Sequence, residues 1–235
     1  MEKTIAKINQ ILIDHFCVPL KAKKHPDPLD TIIGTILSQN TNDQNSYKAY
    51  KNLKENFKSW NDLSLLNSSQ IEKYIKVAGL GKQKSKAIYE LLQSLLKDQK
   101  IVSLNHIKAK TDQQIMEELT SYNGVGVKTA SCVLLFSLGR NICPVDTHVH
   151  RTLNRIGVVK TANPEKTFYA ILNNIPEGIA HSFHTNLIKL GRQICKPTNP
   201  HCVLCPLKKI CNYEQKNLIN TKASKKKDFM LLDNL

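Results

Sequence analysis

The sequence predicts an all-α protein. Apolar residues recur at helical spacing in one segment after another, Gly, Pro and small polar residues fall between those segments, and no run alternates apolar with polar as a strand does. No long-period repeat organises the 235 residues. That length suits one large domain or two smaller ones sharing a core, and the 41% hydrophobic content is enough for a globular interior.

In chain order, Ile5, Ile8, Ile11 and Leu12 place a helix over 4–16 with one buried face. Pro19, Pro26 and Pro28 break it, and Lys21, Lys23 and Lys24 make the connector basic. A second helix over about 29–38 is apolar nearly all round and belongs in the core. Ser38-Gln39-Asn40-Thr41-Asn42-Asp43 is a polar loop, and Asn42 or Asp43 caps a helix over about 44–57. Short helices over 61–66 and 69–77 lead to a glycine-bearing, lysine-rich loop, 78–86. The next helix buries Ile88, Leu91, Leu92, Leu95 and Leu96. Thr111 and Gln114 have capping-box spacing and open a helix through Leu119. One helix runs through Ala130 and Phe136 to a stop at Gly139, another starts at Asp146, Pro164 opens a third over 165–173, and a fourth covers about 179–193. Residues 212–235, with Lys225, Lys226 and Lys227, read as a mobile basic tail.

Lys and Arg number 34 against 19 Asp and Glu, a formal net charge of +15. This points to a polyanion partner or to a merely basic soluble surface. No stretch approaches the roughly 20 apolar residues of a membrane span, and Met1-Glu2-Lys3-Thr4-Ile5 starts no secretory signal. The expectation is an intracellular protein, cytoplasmic or nucleoid-associated, with no membrane partner.

Four of seven cysteines fall within one short loop, Cys195-x6-Cys202-x2-Cys205-x5-Cys211. An odd total without a signal peptide argues against a disulfide framework. Zinc commonly takes two Cys-x2-Cys knuckles, and only one short pair occurs here; the wider gaps favour an iron–sulfur cluster, with zinc or no metal the alternatives. In Tyr122-Asn123-Gly124-Val125-Gly126-Val127-Lys128-Thr129-Ala130, two glycines separate two helical patterns. They permit a tight turn, and the helix start beyond offers free N–H groups to a phosphate. Lys128 stands at that start, as a phosphate-pairing lysine or as a nucleophile whose ammonium form the helix dipole disfavours. Asp146 reads as a helix N-cap or as a catalytic carboxylate. His148 and His150 do not share a helix face and make a poor metal pair.

In this order the three features resemble the endonuclease III family of base-excision DNA glycosylases, over about residues 5–211. Residues 122–130 look like the family's helix-hairpin-helix, Pro144-Val145-Asp146-Thr147-His148-Val149 like its Gly/Pro-rich segment ending in aspartate, and the cysteine spacing like its [4Fe-4S] loop. The resemblance implies a two-lobed helix-hairpin-helix glycosylase fold: a six-helix lobe over 25–138 with the hairpin at about 112–138, and a cluster lobe made of 1–24 and 139–211. It implies a monomer acting on double-stranded DNA that contains damaged bases or abasic sites. It implies that Lys128 attacks C1′ of a damaged nucleotide, that Asp146 assists proton transfer, and that Cys195, Cys202, Cys205 and Cys211 hold a [4Fe-4S] cluster. By the same similarity Asn40 and Leu80 match the positions that enter the DNA stack, and Gly124, Gly126, Val127 and Thr129 lie at the hairpin's DNA contact.

The sequence departs from the family pattern in places. Asn40 stands where glutamine is frequent, Asn123 replaces a proline and Val127 a basic residue, so backbone amides carry more of the phosphate grip. Arg192, Lys196, Lys208 and Lys209 are further phosphate candidates. Adenine and mismatch-thymine glycosylases of the same fold lack the lysine at position 128. The rival class is a non-catalytic nucleic-acid-binding protein with iron–sulfur or zinc.

Overall fold

The computed structural model describes residues 1–18, 25–219 and 229–235, and among them there are helices and turns but no strand. The helices are α1 Glu2–Phe16, α2 Pro28–Ser38, α3 Asp43–Asn56, α4 Trp60–Ser64, α5 Ser68–Ile75, α6 Gly81–Gln99, α7 Asp112–Ser121, α8 Val127–Cys132, α9 Thr147–Ile156, α10 Pro164–Ile171 and α11 Ala180–Gln193. The chain divides into two compact units. One takes the described parts of Lys23–Leu138 and Phe229–Leu235, hence α2–α8; the other takes the described parts of Met1–Ala22 and Gly139–Asp228, hence α1 and α9–α11.

Side-chain caps set most helix starts. Thr111 accepts from Gln114 N at 3.3 Å while Gln114 Oε1 accepts from Thr111 N at 3.0 Å, the box read from the sequence. Of the two candidates for α3, Asn42 is the cap, accepting from Asn45 N at 2.9 Å. Asn163 caps α10 with Pro164 in its first turn. α4 and α5 start on boxes from Ser59 with Asp62 and Asn67 with Gln70. Each such cap contributes about 1 kcal/mol.

In the α2–α8 unit, α2 is buried on every side, with Ile32, Ile33, Ile36 and Leu37 fully inaccessible. Leu53 of α3, Ile75 of α5, Leu91 and Leu95 of α6 and Leu119 of α7 are likewise fully buried, and α2 packs on α3, α6 and α8. Burial of each such side chain contributes about 1.5–3 kcal/mol. α6 begins at Gly81, so most of the expected loop 78–86 is helix. The single helix expected through Phe136 is instead α8 followed by a π turn, Val133–Ser137, closed by Leu138 N on Val133 O at 3.1 Å. Tertiary bonds hold this widened turn: Ser137 Oγ lies 2.7 Å from Thr31 Oγ1, and His25 Nδ1 donates to Phe136 O at 2.9 Å. Apolar periodicity does not distinguish such a turn from an α-helix.

In the other unit α11 packs on α1 and α9 around Ile5, Ile8, Phe183, Leu187, Val149 and Leu153. Gly191 lets α11 approach α9, since a Cβ there would stand 2.8 Å from His148 Cβ.

The mobile tail is corrected at both described ends. Asn212 N donates to Ile156 O at 3.1 Å, and Tyr213 lies under Arg155. Residues 229–235 dock on α2 and α3: Phe229 meets Tyr47 edge-on at 5.4 Å, Leu231 N donates to Asp43 Oδ2 at 3.2 Å, and Met230 and Leu231 are buried. Gly34 makes room for Leu235, whose Cδ1 would lie 2.8 Å from a Cβ placed there. The apolar residues that resume at Phe229 are too few to show a period. Lys225, Lys226 and Lys227 lie outside the described residues.

Candidate active site

The hairpin joins α7 to α8. Tyr122 ends α7, and Val125 N bonds to Tyr122 O at 3.1 Å across the turn. Gly124 has φ +79°, and a Cβ on it would stand 2.8 Å from Ala87 Cβ of α6. The protein's own packing therefore demands this glycine. Gly126 differs: its φ is −96°, and a Cβ there would meet nothing within 4 Å. No contact among the described residues requires its small size, and the open space allows another molecule to approach the backbone. The first helical bond of α8 is Ala130 N to Gly126 O, so the amides of 127–129 precede the ladder.

Lys128 is the second residue of α8 and is half-buried. Among the described residues its ammonium makes no hydrogen bond and no ion pair. Val127 is half-buried beside it, and Thr129 is buried, so Thr129 presents only its amide.

Two exposed tips flank the hairpin in the same unit. Asn40 has φ +51° and Leu80 φ +49°, left-handed conformations uncommon for residues with a side chain. Leu80 is half exposed. Gln39 Nε2 donates to Gly124 O at 3.2 Å, tying the first tip to the hairpin. Lys84 Nζ, fully buried, donates to Leu37 O and Ala78 O at 2.7 Å each, the carbonyls leading into the two tips. Burial lowers Lys84 to about 8.

Asp146 belongs to the other unit. Its Oδ1 accepts from His148 N at 2.9 Å and Val149 N at 2.8 Å, so it is the N-cap of α9, as its position in the sequence allows. His184 Nδ1 donates to Pro144 O at 2.9 Å, and Cys143 and Val145 are buried, which fixes the approach to Asp146. His148 beside it is held below the usual histidine range, mainly by burial and against the pull of Asp146. Its Nδ1 accepts from Arg151 at 3.2 Å.

The four cysteines of the loop are half-buried and unbridged. Burial pushes the Cys205 thiol up to about 12, with Cys195, Cys211 and Cys202 adding to the rise, so the four sulfurs feel one another. Two arginines of α9 clasp the loop. Arg151 Nε donates to Cys195 O at 3.0 Å; Arg155 donates to Lys196 O at 2.7 Å, to Pro197 O at 2.9 Å and, more weakly, to Cys195 Sγ at 3.6 Å. Arg155 also lies 4.4 Å over the Tyr213 ring. Among the described residues no group of three or more His, Cys, Asp or Glu side chains is arranged to hold a metal ion. Lys208 and Lys209 are exposed; Arg192 and Lys196 are half-buried.

Lys84, Gln39, Arg151 and Arg155 escaped the sequence reading. Lys84 had a signal: it falls in phase with Ile88, Leu91 and Leu95 on the apolar face of α6. The arginines carried only their i, i+4 spacing.

The described residues are thus a helical protein in which a glycine turn leads into a helix start bearing an amine without a described partner. The sequence matches the HhH-GPD superfamily of base excision DNA repair proteins over residues 33–177. Endonuclease III of Thermotoga maritima is 36% identical over 190 residues, which cover 81% of this chain and 85% of that protein. Endonuclease III of Rickettsia felis is 33% identical over 189 residues, covering 80% and 84%. A solved structure of a trapped endonuclease III–DNA covalent intermediate matches with a TM-score of 0.75 at 25% identity, over 90% of this chain and 95% of that one. The chain belongs to the HhH-GPD superfamily, in its endonuclease III family, and is a DNA glycosylase of base-excision repair. No described helix is long and apolar enough to cross a membrane.

Proposed function

We propose that the protein is a bifunctional glycosylase and AP lyase that removes oxidised pyrimidines from double-stranded DNA and cuts the strand 3′ to the abasic site. The observation that carries this reading is Lys128: an amine without a partner among the described residues, at a helix start, two residues beyond a glycine with nothing described within 4 Å of a Cβ placed on it. The hairpin amides at 126–129 hold a phosphate of the damaged strand. Lys128 Nζ, as free amine, attacks C1′, the C1′–base bond breaks, and the base leaves with its bonding electrons and takes up a proton. The amine loses a proton, and ring opening gives an iminium at C1′. The iminium makes the C2′ proton acidic; its removal to a base expels the 3′ phosphate. A related endonuclease III has been trapped as a covalent intermediate with DNA, and a covalent intermediate requires a nucleophile on the enzyme. Asp146 supplies negative charge near the sugar and handles a proton, while its capping bonds keep Oδ1 in place.

The base must leave the stack, at a cost of a few kcal/mol. Asn40 and Leu80, exposed on strained tips, fill the gap. Cys195, Cys202, Cys205 and Cys211 hold a [4Fe-4S] cluster: one short Cys-x2-Cys pair flanked by wider gaps suits a polynuclear centre better than the paired knuckles usual for zinc. When bound, the cluster supplies a covalent clamp for the loop and orients its lysines toward phosphate. The protein works as a monomer on DNA in the cytoplasm or nucleoid.

Incubation with duplex DNA bearing an oxidised pyrimidine, under borohydride, is expected to yield a covalent adduct with the native protein and none with Lys128→Ala. An adduct that survives Lys128→Ala overturns the assignment. Iron and sulfide in the purified protein test the cluster; a colourless, zinc-containing protein overturns it.

A further inference from the structure

We infer that Lys84 is a positioning residue for base extrusion: its buried ammonium locks the two wedge-bearing tips to one helix, so that Asn40 and Leu80 meet the duplex at a fixed separation. The inference rests on the reading of Asn40 and Leu80 as wedges. Lys84 lies in the first turn of α6 and is 1% exposed, whereas its neighbours Lys82 and Lys86 are exposed. Its two bonds reach two different segments. Leu37 is three residues before Asn40, and Ala78 two residues before Leu80. Both tips then turn through a left-handed residue, at φ +51° and +49°. A residue with a side chain holds that conformation only where its surroundings over-determine it.

The rest of α6 extends the brace to the hairpin. Ala87 packs under Gly124, and Glu90 Oε2 accepts from Asn123 Nδ2 at 2.5 Å. Gln39 closes the ring with its bond to Gly124 O. The two tips and the phosphate-gripping turn are thereby fixed to one face of one helix, with Lys84 the only bond donor of the set that is wholly buried. A buried lysine without a carboxylate partner is costly to keep. Two backbone carbonyls at 2.7 Å satisfy it, and the neutral amine still has two N–H groups for the same two acceptors.

The test compares extrusion-dependent with extrusion-independent chemistry in the full chain. Excision of an oxidised pyrimidine from duplex DNA requires a wedge; borohydride trapping on a single-stranded abasic oligonucleotide requires Lys128 but no wedge. Lys84→Met is expected to slow duplex excision on the order of tenfold, the scale of a lost buried hydrogen bond, and to leave single-strand trapping within about twofold. In an Asn40→Ala/Leu80→Ala background, adding Lys84→Met should cost nothing more, because residues acting as one unit do not add. Equal losses on both substrates, or a Lys84→Met effect that adds to a sensitive wedge variant, overturn the inference alone. A wedge variant as active as native protein overturns the wedge reading and the inference with it. Should Lys84→Met fail to melt cooperatively, Gln39→Ala, which removes an exposed bond of the same ring, is expected to give the duplex-specific loss in smaller measure. Its indifference to substrate overturns the brace.

Discussion

Replacing Gly124 with alanine places a methyl group where α6 already stands. Two costs follow. A residue with a side chain at φ +79° is held in the left-handed region, at about 1–2 kcal/mol. The new Cβ would lie 2.8 Å from Ala87 Cβ, short of van der Waals contact, and a methyl on a helix cannot swing away; such overpacking costs about 1–3 kcal/mol. The sum is about 2–5 kcal/mol, a fall in melting temperature of roughly 5–15 °C for a chain of this size. Gly126 is the control. Its φ of −96° suits any residue, nothing lies within 4 Å of an added Cβ, and the loss of a glycine N-cap costs at most about 1 kcal/mol. Gly126→Ala should therefore melt near the native protein yet bind duplex DNA with an abasic-site analogue more weakly, because its methyl fills the space proposed for phosphate. Thermal melts with DNA titrations decide. A Gly126→Ala protein that binds DNA normally, or melts below Gly124→Ala, refutes the division of labour between the two glycines.

Three other outcomes are expected. Because burial puts Lys84 at about 8 against an ordinary 10.5, the unfolded chain keeps a proton between those values that the folded protein has released; stability from this residue is full above the unfolded value and is lost as pH falls through 8. Denaturant titrations from pH 7 to pH 10 should then show native protein gaining up to about 3 kcal/mol relative to Lys84→Met, and a flat difference would contradict it. Asp146→Ala removes the acceptor for two α9 amides and should cost about 1–2 kcal/mol, whereas Asp146→Asn keeps a good cap; both should lose excision, and an active Asp146→Asn would separate the cap from the chemistry. Arg155→Ala deletes two carbonyl bonds and a ring contact, worth about 2–4 kcal/mol together. Limited proteolysis should cut its 195–211 loop well before that of the native protein, and equal rates would count against the clasp.

The helices were legible where their apolar faces were regular. α2 reads as fully buried because it is apolar all round, and Thr111 announces α7 because its box is local. The hairpin and cysteine loop were legible because glycine spacing and ligand spacing are written along the chain. What escaped depends on residues far apart in sequence. The π turn is held by Thr31 and His25, more than a hundred residues upstream. Arg155 reaches 41 residues ahead to Lys196 O, and Lys84 reaches 47 back to Leu37 O. Lys84 also sat among other lysines, where charge implied solvent although its helical phase implied the core. Residues 229–235 offered too few apolar positions to show that α2 and α3 receive them.

That docking changes how the chain is threaded. The polypeptide passes from one unit to the other three times: between residues 18 and 25, between 138 and 139, and between 219 and 229. A single nick at any of these passages leaves the units joined by the other two. Even with the first two cut, the fragment 139–235 still carries Phe229, Leu231 and Leu235, whose seats are on α2 and α3 of the severed piece. The heptapeptide then acts as an intermolecular ligand of that severed piece, and re-docking is set by its affinity and by the concentration of the fragments. Split-protein complementation would read this directly, with 229–235 as the handle.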